Sequence, residues 1–300
     1  MVPADLVGWL MAYQPNPYPS LLRQELRARN SAYASCRKLP HALSYGEGAV
    51  VVYEPFSDGL RHGNFLDASY RAILARPEWK RRLDKVHTHA ARSLPKADRI
   101  WRELDSSMSS DALLMNVFCH PKTLKNRALQ SLLGIDGAPT PEFGFKARIA
   151  LLNGHADRTE VDMKLGTLLV ESKLTEADFQ KAKDAIVERY RDLPDAFEQH
   201  TLPKVTGCYA SYQLIRNVLA AHALDLNFCV ILDARRPDLK EAWYTIMSCV
   251  KNSALRTRCK VLTWQELGEA LPGELQDFLD IKYGIVASGQ HLSAVGKHDH

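Results

Sequence analysis

Asp162, Glu171 and Lys173 are two acids and a lysine set around a short Gly166-Thr167 connection. Carboxylates at neighbouring strand positions repel each other unless a cation lies between them. Hard oxygen ligands with no thiolate or imidazole beside them select Mg2+, with Mn2+ as a substitute, rather than zinc. An ammonium two residues past the second acid can orient a nucleophile and offset charge developing on a scissile phosphate. The chemistry this set can perform is metal-dependent phosphodiester hydrolysis. The plainer alternative is a solvated hairpin face whose Glu and Lys form a weak cross-strand pair.

Strands must position these groups. Residues 159–165 alternate in type, and residues 168–174 open with the apolar run Leu168, Leu169, Val170 before turning polar at Glu171 and Lys173. Side chains alternate faces with a period of two, so Glu160 and Asp162 share one face, as do Glu171 and Lys173. A hairpin pairing through Gly166-Thr167 can turn all four to one side. The mostly apolar second strand fits a place inside a sheet, where a solvated charged face is out of place. Downstream, a helix-compatible segment carries Gln213 and Asn217 amid Leu214, Ile215, Val218 and Leu219, and residues 228–233 read as another buried strand.

With those residues in that order, the chain resembles the PD-(D/E)xK nuclease superfamily and, within it, bacterial restriction endonuclease-like proteins. The resemblance is carried by Asp162, by Glu171-Ser172-Lys173, by the segment from Ser211 to Asn217, and by residues 109–118 as the preceding helix. It covers residues 105–283. It implies an α/β (α+β) fold with a restriction-endonuclease-like core, a mixed central sheet flanked by helices. It implies that Asp162 and Glu171 are metal ligands, with the backbone carbonyl of Ser172 as a third, that Lys173 is the catalytic lysine, and that Gln213 reaches toward the site from its helix. Val161 stands where the superfamily pattern has a proline, as in many members. An additional upstream acid is often present, and the candidates are Glu160, nearest in sequence, then Glu142 and Asp111. The implied activity is Mg2+-dependent DNA cleavage leaving 5′-phosphate and 3′-hydroxyl ends, in restriction or defence. RNA or damaged DNA as substrate, or a binding protein without catalysis, are the alternatives.

Composition agrees with a globular, cytoplasmic protein. The 300 residues are 25% charged, with no apolar run approaching the length of a membrane span and no secretory signal at Met1 to Leu6. Six scattered cysteines form no CxxC pair, so buried free thiols are expected rather than disulfides or structural zinc, and His87, His89, Cys119 and His120 lack partners at ligand spacing. The net charge of +4 is mild, but ten Lys or Arg lie between Arg71 and Arg102 against three acids, with Trp79 and Trp101 interleaved. As a helical stretch this would track phosphates, and Lys80, Arg81, Arg82 and Lys85 are the candidate DNA contacts.

The remaining elements follow from periodicity and breakers. Residues 1–104 form a mainly helical, basic region with helices at 21–29, 65–74 and 77–86 and one strand at 48–53. Residues 105–283 form the nuclease core, and 284–300 a polar tail. Within the core a helix at 112–133 breaks at Pro121, a first strand runs over 143–152, and a charged helix capped by Thr175 runs to Arg191. A helix at 238–251, a strand at 259–263 and a helix at 264–271 close the order. No P-loop and no G-x-G-x-x-G is present, and one site per chain would favour a homodimer for cutting both strands.

Overall fold

The apolar run Leu168 to Val170 decides the centre of the molecule. In the computed structural model, which describes residues 16–44, 49–86 and 100–286, Glu160–Leu165 and Leu168–Ser172 pair as an antiparallel hairpin with Met163 opposite Val170. Gly166 turns the chain at φ 59°, a conformation that a side chain would strain. Leu168–Ser172 is buried at every position because it is the middle of five strands. Their spatial order is Cys259–Thr263, Asn227–Leu232, Leu168–Ser172, Glu160–Leu165, Glu142–Lys146. The first three are parallel and the last two antiparallel to their neighbours, which makes the sheet mixed.

Period-two alternation divides the strand side chains between two cores. Leu168, Val170, Cys229 and Ile231 pack with the helices Tyr18–Cys36, Ser110–Phe118 and Gly273–Tyr283. Leu169, Phe228, Val230 and Leu232 pack with Tyr212–Leu224 and Pro237–Ser248, the crossover helices between the parallel strands. At about 1.5–3 kcal/mol for each buried aliphatic side chain, these two layers hold the sheet between helices. The fold is the mixed, helix-flanked α/β sheet expected of a restriction-endonuclease-like core.

The boundary expected at residue 104 divides no core. Leu22, Leu26, Tyr33, Val51 and Tyr53 belong to the same apolar cluster as Leu113, Met163 and Leu279. Lys282, fully buried, donates to Asn30 Oδ1 at 2.9 Å and to Asn64 Oδ1, and its ammonium position lies 4.3 Å from the Tyr53 ring centre. These bonds tie the 273–283 helix to the first hundred residues.

Three expectations are corrected. The helix from Thr175 to Arg191 is not formed: only Asp184–Val187 is helical, after the two-residue strand Ala182–Lys183. The carbonyls that a helix would need are taken by other groups. The buried Arg236 guanidinium donates to the carbonyls of Leu174, Glu176 and Ala177, and the backbone N–H groups of Tyr212 and Gln213 bond to Gln180 and Phe179. The strand over 143–152 ends at Lys146, because Arg148 takes the left-handed φ of 54°, and Ile149–Ala150 pairs instead with Ala156–Asp157. The basic stretch is no continuous helix but Asp67–Leu74, Pro77–Lys80 and the 3-10 turn Arg81–Asp84. Arg92, Lys96, Arg99, His87 and His89 lie outside the described residues, as do Gly48 and the tail from residue 287. The helix expected over 112–133 does break near Pro121, into Ser110–Phe118 and Arg127–Leu133. No helix among the described residues is long and apolar enough to cross a membrane.

Candidate active site

One residue beyond the Met163–Val170 pair, the hairpin register sets Asp162 across from Glu171. The two acids meet where Leu168–Ser172 ends against the start of the 110–118 helix, with Ser172 Oγ 3.3 Å from the Ser110 carbonyl. Asp162 Oδ2 accepts the Ser172 backbone N–H at 2.8 Å. Glu171, 1% exposed, accepts from Lys173 Nζ at Oε1 (2.6 Å) and from Asn217 Nδ2 at Oε2 (2.7 Å). The acid, the acid and the lysine are therefore one cluster, joined by a second side chain from the 212–224 helix.

Electrostatics assigns each group a state. Burial works against the Lys173 ammonium, but the carboxylates of Glu171, Glu176 and Asp162 outweigh it and hold its pKa above the ordinary lysine value. Asp162 is pushed the other way: burial, then the charges of Glu171 and Asp111, raise its carboxyl well above the usual range, only partly countered by Lys173 and the Ser172 N–H.

Asp111, one of the three candidate upstream acids, lies in the first turn of the 110–118 helix, 6% exposed, and its charge is felt by Asp162. Burial would raise its own pKa, but Lys85 at 2.6 Å and Arg82 at 3.0 Å lower it instead. Glu160 turns its carboxylate to the other arm of Arg82 at 2.9 Å, and Glu142 pairs with Lys164 across the strands. Gly144, at φ 67°, leaves room for this bridge: a Cβ there would lie 2.3 Å from Arg82 Nη1 and 2.8 Å from Glu160 Oε2.

Arg82 and Lys85 are thus drawn into the acid cluster, and Lys85 also binds Glu103 at 2.8 Å. Lys80 and Arg81 are exposed. Gln213 sits at the start of its helix with its Oε1 buried and unpartnered, one turn from Asn217. Four residues apart, Gln213 and Asn217 share one helix face, and Asn217, not the expected Gln213, is the one found touching an acid. What the sequence could not show is Arg216: it donates to Asn217 Oδ1 at 3.0 and 3.1 Å and to the Glu160 carbonyl at 2.9 Å, and so sets the amide with Nδ2 toward Glu171.

Among the described residues no group of three or more His, Cys, Asp or Glu is disposed to hold a metal ion. The donor types suit a hard cation: two opposed carboxylates, one with its pKa raised by burial and then by the charge of the other, and no sulfur or imidazole in the cluster.

The model of the family of restriction endonucleases associating with ARP matches residues 23–284. The chain belongs to that family. The match begins well before residue 105, in keeping with the core shared by the first hundred residues and the sheet. No curated protein and no solved structure matches the chain. Membership makes the chain restriction endonuclease-like, with a nuclease role and DNA as the implied substrate class.

Proposed function

We propose that this family member is a Mg2+-dependent deoxyribonuclease, accepting Mn2+, that hydrolyses DNA phosphodiester bonds at the Asp162, Glu171 and Lys173 cluster in restriction or defence. The observation carrying this reading is the buried Lys173–Glu171 pair beside an Asp162 whose carboxylate is disfavoured first by burial and then by the charges of Glu171 and Asp111. Asp162, Glu171 and the Ser172 carbonyl would hold the ion, which when bound supplies Lewis-acid polarisation of the phosphate. Lys173, kept charged by its acidic neighbours, stabilises charge building on phosphoryl oxygens and orients the water for in-line addition to phosphorus. The P–O3′ bond breaks opposite it, leaving a 5′-phosphate and a 3′-hydroxyl. Asn217 fixes Glu171, and the unpartnered Gln213 Oε1 is an acceptor available to a water or a substrate group.

Lys80 and Arg81, exposed where the 77–80 helix meets the 3-10 turn, would meet backbone phosphates; Arg82 and Lys85 are engaged with carboxylates. Two copies acting together would cut both strands. A panel of double-stranded DNA, single-stranded DNA and RNA of matched sequence, incubated with Mg2+, tests the substrate. Cleavage of double-stranded DNA ahead of the others is expected, and cleavage of RNA alone would overturn the assignment.

A further inference from the structure

Away from the acids, on the face made by the first hundred residues and the last helix, an open cavity of about 670 Å3 is walled by Tyr33, Arg37, Phe56, Arg61, Phe65 and Arg71. None of the residues of the acid cluster lines it. Its size falls in the range of small-molecule sites, roughly 300–1,000 Å3.

Its chemistry is that of cations and rings. Three guanidiniums face two carboxylates in the wall, those of Asp67 and Glu274. Glu274 is already engaged, by His120 at 3.0 Å and Lys122 at 3.7 Å. Arg61 pairs loosely with Asp58 at 3.4 Å. Arg37 and Arg71 have no carboxylate partner among the described residues; Arg37 lies over the Tyr33 ring and Arg71 bonds only the Asp67 carbonyl. Arg61 in turn lies 4.3 Å from the centre of the Phe56 ring. The 67–74 helix opens on the same cavity at Asp67 and Ala68 without a side-chain cap, and Asp67 is the acid of its first turn.

Guanidiniums lacking carboxylates recognise phosphate in a forked geometry, and aromatic faces backed by arginine accept a flat heterocycle. We infer that this cavity is a binding site for a nucleoside 5′-phosphate, with Arg37 and Arg71 on the phosphate, the base against Phe56 and Arg61, and the Asp67 carboxylate as an acceptor for sugar hydroxyls. A ligand with phosphate but no base would leave the aromatic wall unused, and a neutral heterocycle would leave the arginines unpaired. The inference stands apart from the nuclease reading, since it uses no residue of that cluster.

Calorimetric titration of the full chain with AMP, GMP, CMP and TMP tests it, beside ribose 5-phosphate and inorganic phosphate. The expected result is saturable binding of at least one nucleotide, about tenfold or more weaker in Arg37→Gln and in Arg71→Gln, and weaker in Phe56→Ala. Lys173→Ala should bind as the wild type does, so loss of the nuclease reading would leave this result intact. Thermal melting of each variant at the wild-type temperature shows that these surface substitutions leave the fold in place. Absence of binding at millimolar nucleotide, or equal binding of ribose 5-phosphate and the nucleotides, would overturn the inference.

Discussion

Asn217 donates to Glu171 Oε2 at 2.7 Å while Lys173 occupies Oε1 at 2.6 Å, so the central carboxylate is clamped from a helix and from its own strand. Removing the helical clamp frees a buried acid to rotate away from Asp162. Asn217→Ala should lower the cleavage rate by about 10–100-fold, the range for groups that orient a metal ligand. Asn217→Asp, which sets a like charge against Glu171, should do more harm. Single-turnover cleavage across a Mg2+ series checks this, and a wild-type rate in Asn217→Asp would remove the clamp from the mechanism.

Gly144 admits Arg82 to its bridge between Glu160 and Asp111. Gly144→Ala incurs both backbone strain at φ 67° and the collision with Arg82 Nη1, and should destabilise the fold by about 1–3 kcal/mol or more. Gly154→Ala is the control, with a φ of 80° and nothing within 4 Å of the added carbon. Urea unfolding should show the larger loss at Gly144, and Arg82→Ala should rescue part of it. Equal losses at the two positions would mean that the approach of Arg82 is unimportant.

Lys282 gives the fold a pH dependence. Burial lowers its pKa well below the ordinary value of 10.5, so between the lowered value and 10.5 the unfolded chain binds more protons than the folded one. Stability must therefore rise with pH through that window, by up to about 1.4 kcal/mol per pH unit. The window closes near pH 10, where the buried Tyr53 and Tyr283, whose pKa values are raised chiefly by burial, reverse the slope. Urea unfolding of the wild type and Lys282→Met between pH 7 and 9.5 should show the steeper rise in the wild type. Parallel profiles would show that Lys282 keeps its proton in the folded state.

Local pattern carried the hairpin, because alternation at 160–165 and the apolar run at 168–170 depend only on which face is buried, and the sheet buries both faces of its central strand. Pro121, a breaker, marked the end of the 110–118 helix for the same local reason, while its Ser109 cap was found only in the structure. Distant partners were invisible. The residues after Thr175 have helical composition, yet Arg236, some sixty positions on, claims their carbonyls. The basic run 80–85 reads as a phosphate track, while Arg82 and Lys85 turn inward to Asp111, an acid that only the fold brings near Asp162. The same holds for Asn217: its helix was readable, but not the acid that it meets.

Asp162 and Lys173 acting with a divalent cation on DNA are the centre of the proposed chemistry. Supercoiled plasmid incubated with the purified chain, with Mg2+, with Mn2+ and with chelator, tests that directly beside Asp162→Ala and Lys173→Ala. The account predicts nicking or linearisation with either metal, none with chelator, and none in either variant while both melt as folded proteins. Cutting that persists in chelator, or in Lys173→Ala prepared free of contaminating nuclease, would contradict it.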